Sequence, residues 1–214
     1  FTVIAAVLVQ VTAFSQDQNV ILVNNETDFR KIADATLYEG KSFYKVKIKL
    51  TQDIILQGDS ILPIGMYPLE NETSFPFQGE FDGDGHTITI KAPFSIYRYS
   101  YPDEEYGYMH TKYYSGLFGI VGTAGAVMNL NIVLEDISSF VDHGQIGSFG
   151  IVAGMNAGLI YNCNVAGSYS ITTVTHNFFD YGSIAGTLNR QGTISNCYNQ
   201  ANLIVNKISK VGGI

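Results

Sequence analysis

Three stretches of the sequence repeat one pattern, and this repetition decides the fold. They read GLFGIVGTAGAVMNLNIV at 116–133, GIVAGMNAGLIYNCNVAG at 150–167 and GSIAGTLNRQGTISNCYN at 182–199. In the second half of each stretch, matching positions are 33 and then 34 residues apart. A fixed period of this length indicates a protein built from stacked repeats.

Each stretch places the same residue types at the same positions. The shared columns are Gly119/Gly154/Gly186, Gly125/Gly158/Gly192, Val127/Ile160/Ile194, Asn129/Asn162/Asn196 and Leu130/Cys163/Cys197. We expect the glycines to supply positive φ angles at corners and the Asn column to hydrogen-bond to its own copies.

The repeat unit predicts an all-β fold. It holds short β-type runs separated by Gly and Asn, with no convincing helix, which argues against helical solenoids of similar period. Such a unit buries its apolar face by stacking one coil per repeat, about 4.8 Å apart, in a parallel β-helix. A β-propeller is the competing architecture, but its blades need four strands and a more regular spacing of aromatic residues.

The Leu/Cys/Cys column is expected to face inward. Free Cys behaves as a small hydrophobe, so we predict Cys163 and Cys197 to be buried free thiols. A disulfide between neighbouring coils is the alternative, although ladder neighbours hold their Cβ atoms further apart than a disulfide prefers.

The region before the repeats predicts a cap of one helix and short strands. Phe29, Ile32, Ala33 and Leu37 recur at helical spacing, and residues 44–50 alternate apolar residues with lysines, as in a half-exposed strand. The expected organisation is an N-terminal cap at 16–75, then β-helix at 76–214 with repeats at 116–149, 150–181 and 182–211. The final VGGI is interpreted as the start of a further repeat cut off at the C-terminus.

The first fifteen residues predict export. FTVIAAVLVQVTAF at 1–14 has the length of a signal-peptide apolar region and is too short to span a bilayer. Ala13 and Ser15 fit a cleavage site before Gln16, so 1–15 is interpreted as a truncated signal peptide of a secreted or cell-surface protein. A buried strand is the alternative. No membrane span is expected in the mature chain.

The overall charge argues against nucleic acid as a partner. The chain carries a net charge of −7, with 12 Lys and Arg against 19 Asp and Glu. Such a chain repels a phosphate backbone.

The repeats and the segment before them resemble a known family. The GLFG, GIVAG, SIAG and GTISNCYN runs resemble the GLUG-motif repeats of bacterial surface proteins, and PFQGEFDGDGHTITI at 76–90 resembles their lead-in. The resemblance covers most of the chain from about residue 20 to residue 214. It implies a right-handed parallel β-helix of the kind common in secreted proteins of Bacteroidota, and in IgA-cleaving metallopeptidases, where such repeats flank the protease.

A tyrosine-rich segment departs from that family pattern and is the candidate binding site. It reads FSIYRYSYPDEEYGYMHTKYY at 94–114 and replaces a shorter connection. Tyrosine combines a rigid ring with a hydroxyl, which suits both sugars and protein interfaces. The predicted ligand-binding residues are Tyr97, Tyr99, Tyr101, Tyr106, Tyr108, Tyr113 and Tyr114. The alternative is that this loop folds over the coil and its rings cover the core.

Other motifs give no catalytic or metal site. Residues 82–86, DGDGH, predict a tight turn, because a calcium loop would need a Glu where Pro93 stands. No HExxH occurs, and Asp180 is the only carboxylate between 144 and 214. We therefore expect no catalytic residues, no metal and no cofactor.

Together these observations predict a non-catalytic secreted or cell-surface β-helical segment. It would serve as an adhesin or scaffold that binds a carbohydrate or a host surface protein. The alternative is a non-catalytic arm of a larger secreted metallopeptidase or polysaccharide-degrading enzyme.

Overall fold

The computed structural model describes residues 19–65, 75–95, 97–102, 109–141, 146–174 and 179–208. Its elements in chain order are β1 (Asn19–Val23), α1 (Glu26–Glu39), β2 (Val46–Leu50), β3 (Ile54–Leu56), β4 (Glu80–Asp82), β5 (Thr87–Ile90), β6 (Tyr97–Pro102), β7 (Met109–Ser115), β8 (Phe118–Val121), β9 (Ala126–Met128), β10 (Asn131–Val141), β11 (Ile146–Gly150), β12 (Ala153–Asn156), β13 (Leu159–Tyr161), β14 (Asn164–Val174), β15 (Phe179–Gly182), β16 (Ala185–Leu188), β17 (Thr193–Ser195) and β18 (Tyr198–Ile208).

The strands stack into four sheets that run along a solenoid of about four turns. Sheet 1 has the order β1-β2-β4-β9-β13-β17, sheet 2 β3-β5-β10-β14-β18, sheet 3 β6-β7-β11-β15 and sheet 4 β8-β12-β16. Among the named strands described, only the β6–β7 pair is antiparallel. With 56% strand and a small N-terminal helix and strand, the predicted parallel β-helix is confirmed.

The core consists of inward columns that run from coil to coil. In sheet 1 the column is Ile48, Phe81, Val127, Ile160 and Ile194, in direct parallel register. The first four of these side chains are fully buried. Successive residues of a strand face opposite sides, so the residues between them point outward.

The helix α1 closes the N-terminal end. Its N-cap is Asn25, whose Oδ1 accepts the N–H of Asp28 at 2.9 Å, and it ends at Gly40 with φ 65°. The ring of Phe29 meets Phe81 edge to face, with 6.2 Å between centroids. β2 and β3 pair in parallel with β4 and β5, so the solenoid ladder begins before residue 76.

The shared glycines allow the backbones of neighbouring segments to approach closely. Contrary to our expectation, they do not supply the positive φ angles at the corners. The positive φ angles at the corners belong to Asn129, Asn162 and Asn196, at 53°, 51° and 52°. None of the shared glycine columns has a positive φ. A Cβ on Gly158 would instead collide with the backbone oxygens of Gly122 and Gly125. Asn tolerates the left-handed region, which explains why it fills the corner column.

Candidate functional site

The described part of the tyrosine-rich segment is an antiparallel pair of strands in the wall of the solenoid, β6 and β7, which we call the hairpin. β6 and β7 pair antiparallel from Tyr97↔Tyr114 to Pro102↔Met109. β7 then pairs in parallel with β11, so the hairpin continues sheet 3 and β6 is its edge strand. An edge strand offers unpaired backbone groups to a partner.

The structure separates the seven predicted tyrosines into three groups. Tyr113 and Tyr114 are 4% and 8% exposed, so their rings lie within the protein and are not available at its surface. Tyr97, Tyr99 and Tyr101 lie on β6, opposite Tyr114, Lys112 and His110. The last two, Tyr106 and Tyr108, lie outside the described residues, as do Asp103, Glu104 and Glu105. Ligand binding by this segment stays a prediction.

The Asn column forms the expected ladder, and it ends on a carboxylate. Asn196 Nδ2 donates to Asn162 Oδ1 at 3.2 Å, and Asn162 Nδ2 donates to Asn129 Oδ1 at 2.9 Å. Asn129 Nδ2 in turn donates to Asp82 Oδ1 at 3.0 Å. The ladder therefore connects four coils through side-chain amides.

Asp82 is held ionised at the end of this ladder. Burial of its carboxyl opposes ionisation, but hydrogen bonds from Asn129, the Asp84 N–H and Lys47 outweigh it and lower the pKa of Asp82. The Lys47 ammonium lies 2.8 Å from Glu80 and 3.0 Å from Asp82, and these bonds raise its pKa. Because the folded pKa of Asp82 lies below its unfolded value, this stabilisation is lost as pH falls through the folded pKa.

The DGDGH segment forms the predicted turn. Asp84 and Gly85 have φ of 51° and 81°, and the Asp84 N–H donates to Asp82 Oδ1 at 3.0 Å. Lys49 pairs with Asp84 at 2.9 Å, and His86 Nδ1 lies 3.4 Å from Asp53 Oδ1. Within the described ranges no group of three His, Cys, Asp or Glu side chains is placed to hold a metal ion.

The two cysteines are free and adjacent in the ladder. Cys163 is fully buried, as predicted, whereas Cys197 is partly exposed because it lies in the last described coil. The Cys163 N–H donates to Cys197 Sγ at 3.5 Å. A hydrogen bond from the Cys163 thiol lowers the pKa of Cys197 to about 6, and the same bond together with burial raises the pKa of Cys163.

A second surface was not found from the sequence. The outward positions of β10, β14 and β18 form a shallow groove of about 350 Å³ on sheet 2. We call this the sheet 2 face, defined by Asn131, Val133, Asn164, Ala166, Tyr198 and Gln200. The sequence does carry a signal for this surface. The residue two places after each ladder Asn, namely Asn131, Asn164 and Tyr198, recurs with the repeat period.

These features define a β-solenoid repeat protein with an inserted tyrosine-rich hairpin. A comparison with models of protein families found no match, and a comparison with curated proteins found none either. The similarity to GLUG-motif repeats therefore stays a resemblance. Within the described residues, no helix has the length and apolar character needed to cross a membrane.

Proposed function

We propose that this chain is a non-catalytic segment of a secreted or cell-surface protein, and that it binds an extracellular glycan or protein through the β6–β7 hairpin. The observation that carries the proposal is the hairpin itself, an antiparallel, tyrosine-rich element attached to an otherwise parallel ladder.

The base of the hairpin is firmly attached, which suits a binding element. β7 residues 112–115 pair with β11 residues 146–149. Ser115 is fully buried, and its Oγ donates to the Ser95 carbonyl at 3.1 Å across the two ends of the insertion. A binding strand on a rigid scaffold loses little conformational entropy when it binds.

The carboxylates on the solenoid wall support a structural role. Glu80 and Asp82 share Lys47, Asp84 pairs with Lys49, and Glu135 pairs with Lys91 at 3.1 Å. For Asp82 the pKa is lowered, which is the opposite of the raised pKa that a general acid needs.

The proposal is tested by a triple substitution on the edge strand, Tyr97→Ser, Tyr99→Ser and Tyr101→Ser. The matched control is Tyr38→Ser with Tyr44→Ser, two tyrosines of the cap region that are 74% and 59% exposed. Wild type and both variants are applied to an array of glycans and extracellular matrix proteins, and thermal unfolding is recorded for each.

We expect the triple variant to lose at least one array ligand that the wild type and the control bind, while its unfolding temperature stays close to that of the control. Unfolding of the triple variant at a much lower temperature would mean that these rings support the core, and would overturn the proposal. A folded triple variant that still bound every array ligand of the wild type would also overturn it.

A further inference from the structure

We propose that the sheet 2 face is a second binding site, and that its ligand is a neutral glycan chain lying along the solenoid. This inference goes beyond the hairpin, because it uses residues of β10, β14 and β18 only.

The register aligns the six side chains in two columns on one surface. Asn131, Asn164 and Tyr198 are directly paired, as are Val133, Ala166 and Gln200. The residues between these columns in β10 and β14, Ile132 and Val165, are each 1% exposed and point into the core. Because strand residues alternate, both columns face outward.

The spacing of these columns suits a sugar polymer. Neighbouring strands in a sheet lie about 4.8 Å apart, so equivalent groups recur at that interval along the solenoid axis. This interval is close to the length of one pyranose unit in an extended glycan. An extended chain on this surface therefore meets an amide at two successive sugars, from Asn131 and Asn164, and the ring of Tyr198 at the next.

The amides of the first column are already oriented. Asn164 Nδ2 donates to Asn131 Oδ1 at 2.9 Å, and Asn131 Nδ2 donates to the Gly85 carbonyl at 2.8 Å. Each carboxamide has two N–H groups, and these bonds use one of them. The ladder thus fixes both amides in place while each keeps a further donor for a sugar hydroxyl.

Tyr198 supplies the apolar part of the site. Its side chain is 61% exposed, and Val133 in the adjacent column is 37% exposed. An aromatic ring presents a flat apolar surface with a polar hydroxyl, which matches the C–H face and the hydroxyls of a pyranose.

The charge of the surface selects the ligand class. The whole chain carries a net charge of −7, yet none of the six side chains of this face is charged. The nearest outward charge along β10 is Glu135, which is paired with Lys91. A sulfated or uronate polymer would find no counter-charge here, whereas a neutral polyol finds amide donors and acceptors. The exposed apolar area is small for a protein partner, which would need a larger buried patch.

The test uses the full chain and affinity electrophoresis in gels that contain neutral glucans, mannan or galactan, with polygalacturonate and heparin as anionic comparators. The variants are Tyr198→Ala and Gln200→Ala. The matched control is Tyr44→Ala, a tyrosine with nearly the same exposure, 59%, outside the face. The hairpin triple variant is run beside them, so that failure of the two sites can be distinguished.

We expect at least one neutral polysaccharide to retard the wild type, the Tyr44 variant and the hairpin triple variant. Tyr198→Ala should weaken that binding on the order of tenfold without a change in unfolding temperature. No retardation by any neutral polymer would overturn the inference. Stronger retardation by the anionic polymers, or equal effects of Tyr198→Ala and Tyr44→Ala, would overturn it as well. Capture of a matrix protein that depends on Tyr198 would show a protein site instead.

Discussion

The coil that contains β4 and β5, which we call the second coil, and the last described coil, which contains β17 and β18, use the same ladder but differ in how deeply their inward side chains are buried. Phe81 is fully buried between Phe29 of the helix and Phe118, with centroids at 6.2 and 5.4 Å. Ile194 holds the same column at the other end, yet it is only partly buried. In a solenoid, burial comes from the neighbouring coils, and among the described residues the coil of Ile194 has a neighbour on one side only, so the same inward position is less buried there.

In the inward column of sheet 2, the last described coil also differs from the others, here in residue type. Ile54, Ile88, Ile132 and Val165 follow one another and are at most 3% exposed. The next position, in β18, is Asn199, which is exposed and whose Oδ1 accepts the Ala201 N–H at 2.9 Å. A polar residue is tolerated there because its amide oxygen is satisfied by its own strand and is not buried.

The largest expected effect is a loss of core packing in the second coil. Phe81→Ala removes a ring from a fully packed site, so we expect it to lower the free energy of unfolding by about 3–5 kcal/mol. Ile194→Ala at the same column should cost less than about 2 kcal/mol, because that side chain is already partly solvated. Denaturant unfolding of both variants measures the difference. Similar losses at the two positions would show that the last coil is as well covered as the second.

Substitutions in the Asn ladder should lower the free energy of unfolding by less, and by an amount that depends on the number of ladder bonds lost. Asn129 makes two ladder bonds, to Asp82 and Asn162, whereas Asn196 makes one, to Asn162. We expect Asn129→Ala to cost about 2–3 kcal/mol, from the lost bonds and the positive φ, and Asn196→Ala roughly half of that. Denaturant unfolding is again the measurement.

Substitution of Asn129 by glycine separates the loss of the ladder bonds from the strain of a positive φ. Asn129→Gly keeps the left-handed φ without strain but removes the ladder amide. If Asn129→Gly were as stable as the wild type, the ladder bonds would contribute nothing and the cost of Asn129→Ala would be backbone strain alone.

The repeat columns were predictable because they depend on local rules. Asn129, Asn162 and Asn196 sit at one period, and a stack of identical coils requires identical corners at that period. The helix was predictable for the same reason, since its Asn25 cap and Gly40 end are local signals.

Features that depend on contacts between coils were not predictable. The burial of Tyr113 and Tyr114 follows from the pairing of β7 with β11, which no local pattern shows. The sheet 2 face was missed for a different reason. Its first column, Asn131, Asn164 and Tyr198, follows the repeat period but changes residue type, so no repeated residue marked it as a surface.

The two cysteines allow the same comparison between neighbouring coils, because they lie next to each other in one column and differ in burial. Cys197, in the less covered coil, has its pKa lowered to about 6, chiefly by the hydrogen bond from the Cys163 thiol. Since the thiolate is the reactive form, iodoacetamide at pH 7 should modify Cys197 and leave the buried Cys163 unmodified. The rate should fall as pH is lowered through about 6, where an ordinary thiol is already protonated.

Substitution of Cys163 tests whether its thiol causes the lowered pKa of Cys197. Cys163→Ala removes the thiol and keeps the Cys163 N–H bond to Cys197 Sγ, so we expect the thiol's share of the shift to be lost, the pKa of Cys197 to rise and its alkylation rate at pH 6 to fall on the order of tenfold. Cys163→Ser keeps a hydroxyl donor at the same position and should restore most of the rate. Peptide mass spectrometry after timed alkylation identifies the modified residue. If Ala and Ser at this position gave the same rate, the activation of Cys197 would come from its exposure in the last coil and not from its neighbour in the ladder.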